Sequence, residues 1–165
     1  MRAYNGRLGP SSLPPEPARG WAVLSCMDAR IHVEELLALR RGDAHIIRNA
    51  GGLATDDALR SIVVSSQLLG TRELAIVEHT GCGLLGLDEE AARREIARRT
   101  GHDAAGLALH AFRDLESNVR TQIDRVIASP FLPEDFQVSG WILDIGSGRL
   151  REVAVAKVRR AAGSR

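Results

Sequence analysis

At 165 residues the chain is long enough for one domain with a real core, and 44% apolar with 26% charged residues is an ordinary globular composition. A formal net charge of +1 gives no electrostatic reason to expect a nucleic-acid partner. The longest apolar runs, such as Ile62–Val64 and Leu74–Val77, are far too short to cross a bilayer, and no basic region followed by an apolar stretch marks a secretory signal. A cytoplasmic protein without a membrane partner is therefore expected.

Residues 1–20 hold Pro10, Pro14, Pro15 and Pro17 among glycines and read as an irregular arm. A single α/β domain is expected over 21–156, followed by a basic tail over 157–165. Trp21–Ser25 is a short apolar run with the look of a buried strand. Val33, Leu36 and Leu37 have helical spacing, which predicts a helix over 33–39 stopped by Gly42. Ala44–Arg48 predicts a second strand, ended by Ala50, Gly51 and Gly52. Thr55 suits an N-cap, with Asp56 and Asp57 in the first turn, where the helix dipole favours acids. That helix is predicted to run to Leu69, with Gly70 at its C-cap. Glu73–Glu78 predicts a third strand. A charged helix follows over 88–99, then another over about 109–128, ended by Pro130. Val138–Leu143 and Leu150–Val155 flank Gly146-Ser147-Gly148 and predict a hairpin.

Alternating strands and helices argue for parallel strands with right-handed crossovers. The carboxyl ends of the first three strands then share one edge of the sheet, where open α/β proteins place their sites. Two cysteines meet at that edge. Cys26 follows the first strand, His79 follows the third, and Cys82 lies in the next loop. In a reducing compartment two cysteines are more often metal-binding or catalytic than bridged. Neighbouring strands stand about 4.8 Å apart. Tetrahedral zinc needs ligand atoms roughly 3.5 Å apart, which side chains on adjacent strand tips can reach. Three protein ligands leave a fourth position, and zinc lowers the pKa of a water there to about 7.

Asp28 and Arg30 lie close to Cys26 in the segment Cys26-Met27-Asp28-Ala29-Arg30. A carboxylate beside zinc can bind the metal and close the site, or accept a hydrogen bond from the bound water. Arg30 favours the second by offering a bidentate partner that keeps Asp28 ionised. The first stays open as the route to a non-catalytic, zinc-stabilised binding protein.

These motifs resemble the β-carbonic anhydrase family. Its C-x-D-x-R segment matches Cys26, Asp28 and Arg30, and its H-x-x-C segment matches His79 and Cys82. Arg48-Asn49-Ala50-Gly51-Gly52 resembles the family's turn after the second strand, and the likeness spans about 21–156. The resemblance implies a mainly parallel central sheet flanked by helices, a zinc cofactor, and a homodimer or multiple of dimers. It implies reversible hydration of carbon dioxide to bicarbonate, with Asp28 and Arg30 catalytic and Gly51 and Gly52 beside the substrate pocket. The compact bacterial branch it resembles also includes hydrolases of carbonyl sulfide and carbon disulfide. One departure is Gly81, where family members often carry a polar residue before the second cysteine. No histidine stands out as a proton shuttle; Glu78 and His32 are the candidates.

Other polar residues have plainer readings. His45 sits inside an apolar strand and reads as packed or at an interface. Arg93, Arg94, Arg98 and Arg99 interleave with Glu89, Glu90 and Glu95 as a solvated helix face. Asn49 is expected to cap the glycine turn.

Overall fold

A computed structural model describes residues 12–159. The part of the expected arm over 1–11 and the tail from 160 onward lie outside the described residues. Residues 12–20 carry neither helix nor strand, and they are tied to the start of the second strand: Ala18 N donates to Gly42 O at 2.8 Å and Arg19 N to Asp43 O at 3.0 Å.

The elements are β1 (Trp21–Cys26), α1 (Val33–Leu36), β2 (Ala44–Asn49), α2 (Asp56–Leu68), β3 (Glu73–His79), α3 (Glu89–Thr100), α4 (Leu115–Ile127), β4 (Gln137–Leu143) and β5 (Leu150–Lys157). They build one five-stranded sheet in the order β2-β1-β3-β4-β5. Every neighbouring pair is parallel except β4 with β5, the antiparallel hairpin that the glycine turn predicts. The expected mainly parallel α/β sheet is present.

The central strands β1 and β3 are apolar because side chains on both their faces join packed clusters. On one face α2 and α4 pack Ala58, Ile62, Val119, Ile123 and Val126 against Ala22, Leu24, Leu74, Ile76 and Val138. Gly140 in β4 lets α4 approach, since a Cβ there would meet Val119 and Ile123. A second cluster joins Val23, Ile31, Val33, Val77 and Leu143 to both cysteines. Thr55 caps α2 as expected, accepting from Ala58 N, and Gly70 takes a left-handed φ of 74° just past its end.

Two helices differ from expectation. The first has one turn and stops at Leu36, because Ala38 adopts a left-handed φ of 49°. Leu36, Leu37 and Leu39 still pack against the second cluster, so their apolar spacing serves a turn as well as a helix. The helix expected from 109 begins only at Leu115, capped by Asp114, whose side chain accepts from Ser117 N. Phe112 instead forms a parallel bridge with Leu85. On α3 the arginines pair with Glu89, Glu90 and Glu95 along a helix with no fully buried residue, which is the expected solvated face.

Candidate metal centre

The ladder registers bring the site together. Cys26 pairs with Asn49 at the end of the β1–β2 ladder, and His79 pairs with Leu143 at the end of the β3–β4 ladder. Both candidate ligands are the last residues of their strands, one position inside where the sequence places them. Cys82 returns in the loop after β3, through Gly81 with a left-handed φ of 65°.

The ligand atoms of Cys26, His79 and Cys82 lie within 4.8 Å of one another, and all three residues are buried. Both thiols are free. His79 Nδ1 faces Thr80 O at 3.0 Å, so it carries the ring proton and leaves Nε2 as a lone pair. Nε2 is buried and has no hydrogen-bond partner. An orphaned imidazole lone pair costs free energy unless something binds it. Two sulfurs and one imidazole nitrogen form the donor set of a zinc site with three protein ligands, and the residues fit that ion.

The electrostatics agree. Burial pushes the Cys26 thiol up, but His79 and the backbone amides of Asp28 and Gly51 outweigh it and bring the thiol down to about 7. The attraction of the Cys26 sulfur raises the His79 imidazole, against the effect of its burial. Burial raises the Cys82 thiol. A cation at the centre would hold both sulfurs as thiolates.

Asp28 stands beside this cluster, with Oδ2 3.9 Å from His79 Nε2. Its carboxylate is engaged by Arg30: Nε donates to Oδ1 at 2.9 Å, Nη2 to Oδ2 at 2.7 Å and the backbone N to Oδ1 at 3.0 Å. The Arg30 side chain holds the Asp28 carboxyl far below the usual carboxylate range. Arg30 Nη2 also donates to Gly81 O at 3.1 Å, which ties the Asp28 segment to the His79–Cys82 loop.

The glycine turn closes against the same segment. Gly51 and Gly52 have left-handed φ values of 83° and 69°. A Cβ on Gly52 would stand 2.9 Å from Cys26 N, so only glycine allows this approach. Asn49 holds the turn, accepting from Leu53 N at 2.8 Å and donating to Leu53 O at 2.7 Å, as a cap does.

Of the other polar residues, His45 is packed between Ser65 Oγ and Pro15 O, at 2.7 and 2.8 Å. His32 is the exposed N-cap residue of α1. Glu78 is only 1% exposed and turns away from the imidazole of its neighbour, toward α4. Its Oε1 accepts from Asn118 at 2.8 Å, its Oε2 has no partner, and burial pushes the acid up to about 8. Asn118 Oδ1 accepts from Gln122, which in turn accepts from Ala54 N at 2.9 Å. This buried chain from β3 through α4 to the start of α2 has no sequence signal, because its members are 40 and 68 residues apart.

The carbonic anhydrase family's sequence profile matches residues 21–150. Beta-carbonic anhydrase 1 of Mycobacterium tuberculosis is 37% identical over 149 residues, covering 90% of each chain. A carbon disulfide hydrolase of Acidithiobacillus thiooxidans is 33% identical over 156 residues, covering 83% of this chain and 78% of its own. The crystal structure of carbonic anhydrase from Streptococcus mutans matches with a TM-score of 0.84 at 42% identity, covering 88% of each chain. Profile, relatives and ligand geometry point the same way, and the chain belongs to the carbonic anhydrase family, in its β branch.

Proposed function

We propose that the chain catalyses the reversible hydration of carbon dioxide to bicarbonate, with zinc held by Cys26, His79 and Cys82. The observation that carries this reading is a buried ligand set with an orphaned His79 Nε2 beside a carboxylate already committed to arginine. Zinc bound there supplies the Lewis acidity that makes water a nucleophile near neutral pH.

The chain's own residues position and orient. Asp28, 3.9 Å from the imidazole, accepts a hydrogen bond from the reacting water and aims it. Arg30 keeps Asp28 ionised, so the carboxylate remains an acceptor instead of taking the proton. Gly51 and Gly52 bring bare backbone alongside Cys26, and we assign them to the wall of a pocket for a small linear molecule. The proton leaves to solvent or buffer, since Glu78 faces α4.

A homodimer or multiple of dimers is supported by the sheet face around Trp21, Val23, Ala75 and Trp141, a concave apolar surface bordered by Leu37 just past α1. Sedimentation would measure it. Two free buried thiols suit a reducing compartment such as the cytoplasm. Among the described residues no helix is long and apolar enough to cross a membrane.

The test is stopped-flow hydration of carbon dioxide by zinc-loaded protein, from about pH 6 to 9. The rate is expected to rise with pH as water and ligands deprotonate. A flat profile overturns a metal-activated water. The likeness to a carbon disulfide hydrolase favours one second reading, hydrolysis of carbon disulfide or carbonyl sulfide on the same centre. Sulfide release without carbon dioxide hydration would establish it. Zinc loading with no turnover of any of the three gases would instead indicate a non-catalytic binding protein closed by Asp28.

A further inference from the structure

Asp28 lies in an exposed stretch. Beyond Cys26 the chain leaves the sheet, and Met27 is 64% exposed, so apolar packing does not hold the segment. The β1–β2 ladder ends with Met27 N donating to Asn49 O at 2.8 Å, because β2 then turns into the short helical turn at Ala50–Gly52. The Cys26 and Asp28 carbonyls thus lie at and past the end of their strand partner.

Arg48 takes both. Its Nε donates to Cys26 O at 3.0 Å and its Nη2 to Asp28 O at 2.7 Å. One rigid guanidinium therefore spans the residues on either side of Met27, the first a ligand and the second the carboxylate beside the ligands. Lysine cannot reproduce this fork, since its three donors share one nitrogen at the end of a flexible stem. Arg30 works on the other side of the same residue, fixing the Asp28 carboxylate while Arg48 fixes its backbone. Asp28 O also accepts from Ile31 N at 3.0 Å, so the rival view is that the local turn alone suffices.

We propose that Arg48 is a positioning residue: by clamping the Cys26 and Asp28 carbonyls it sets where the Asp28 carboxylate stands relative to the metal ligands. This rests on the carbon dioxide hydration reading for its kinetic consequence but on the two hydrogen bonds alone for its geometric one. A displacement of about 1 Å in a reacting group costs on the order of a hundredfold in rate.

The experiment compares Arg48→Lys, Arg48→Gln and Arg48→Met with the parent in zinc- and cobalt-loaded forms. Metal content, the unfolding midpoint, kcat and KM for carbon dioxide, and the visible absorption of the cobalt protein are measured. Expected for Arg48→Lys are full metal content, a folded protein, kcat lowered roughly tenfold to a hundredfold, and little change in KM. With an active parent, kcat decides: a value within about twofold of the parent overturns the proposal. If the parent binds metal but hydrates no carbon dioxide, the functional reading fails and the cobalt spectrum decides. A shifted ligand-field band in Arg48→Lys then upholds the clamp, and an unchanged spectrum overturns it. Loss of metal or of the folded state in all three variants makes Arg48 a general stability residue and also overturns the proposal.

Discussion

Gly52→Ala tests how closely the glycine turn is fitted to the metal ligand. At φ 69° alanine loses roughly 1–2 kcal/mol in the left-handed region. Its Cβ would also stand 2.9 Å from Cys26 N and 3.0 Å from Ser25 C, and these backbone atoms are fixed by the sheet. Forcing them apart adds about 1–3 kcal/mol, while the stiffer unfolded chain returns less than about 1 kcal/mol. A net loss of about 2–4 kcal/mol is expected, a large share of the ~5–15 kcal/mol that holds a domain together. Gly51→Ala is the control. Its φ of 83° carries the same backbone cost, but its Cβ meets side-chain atoms of Leu53 and Leu84 at 3.0 Å, which can yield. The control should lose about 1–2 kcal/mol less than Gly52→Ala. Because the displaced atoms in Gly52→Ala belong to Cys26, zinc affinity should also fall, by roughly tenfold to a hundredfold. Urea unfolding of the metal-free proteins and chelator competition measure the two effects. Equal stability losses in the two variants, with zinc affinity unchanged in Gly52→Ala, would refute the reasoning.

Metal analysis of the parent should find one zinc per chain, and Cys26→Ser should lose it, since a serine oxygen is a poor substitute for thiolate. Asp28→Asn keeps the shape but loses the negative acceptor, and kcat should fall about 10²- to 10⁴-fold with zinc retained, as steady-state kinetics would show. In the metal-free protein, Glu78 makes stability pH-dependent. Burial raises it from 4.5 to about 8, so between those values the folded state keeps a proton that the unfolded chain has lost. Its stabilising contribution is complete below pH 4.5 and disappears as pH rises to about 8, and Glu78→Gln should flatten that slope in urea titrations. Gly140→Ala places a Cβ against Val119 and 2.7 Å from Ile123 Cδ1, and thermal unfolding should show a loss of about 1–3 kcal/mol without loss of zinc.

The strands were legible because parallel strands with apolar side chains on both faces read as short apolar runs, and Trp21–Ser25, Ala44–Arg48 and Glu73–Glu78 are such runs. The clustering of Cys26, His79 and Cys82 was legible for a related reason. Parallel strands put their carboxyl ends on one edge, so residues 26, 79 and 82 had to meet if the strand assignments held. What sequence periodicity did not separate were segments where apolar spacing serves another purpose. Leu109, Phe112 and Leu115 mimic a helical stripe, yet Phe112 is taken by Leu85 and the helix waits for its Asp114 cap. Arg48 and Glu78 were illegible in a different sense. Their partners are backbone carbonyls and a half-buried amide, 20 to 40 residues distant, and no local pattern marks such bonds.

The departure at Gly81 takes on meaning in the fold. Open space surrounds the position, so the missing side chain leaves no packing defect. What the residue contributes is its carbonyl, which accepts from Arg30 Nη2 at 3.1 Å. Arg30 therefore joins the two halves of the metal centre, holding Asp28 through its carboxylate and the His79–Cys82 loop through Gly81 O. For Asp28 to swing onto a metal it would have to give up both guanidinium bonds, while Arg30 Nη2 stays within reach of Gly81 O. Closing the site with Asp28 thus breaks the coupling that Arg30 makes between the carboxylate and the His79–Cys82 loop. That coupling is the physical reason to read the fourth position as belonging to water, and it follows from where Arg30 points, whatever residue precedes Cys82.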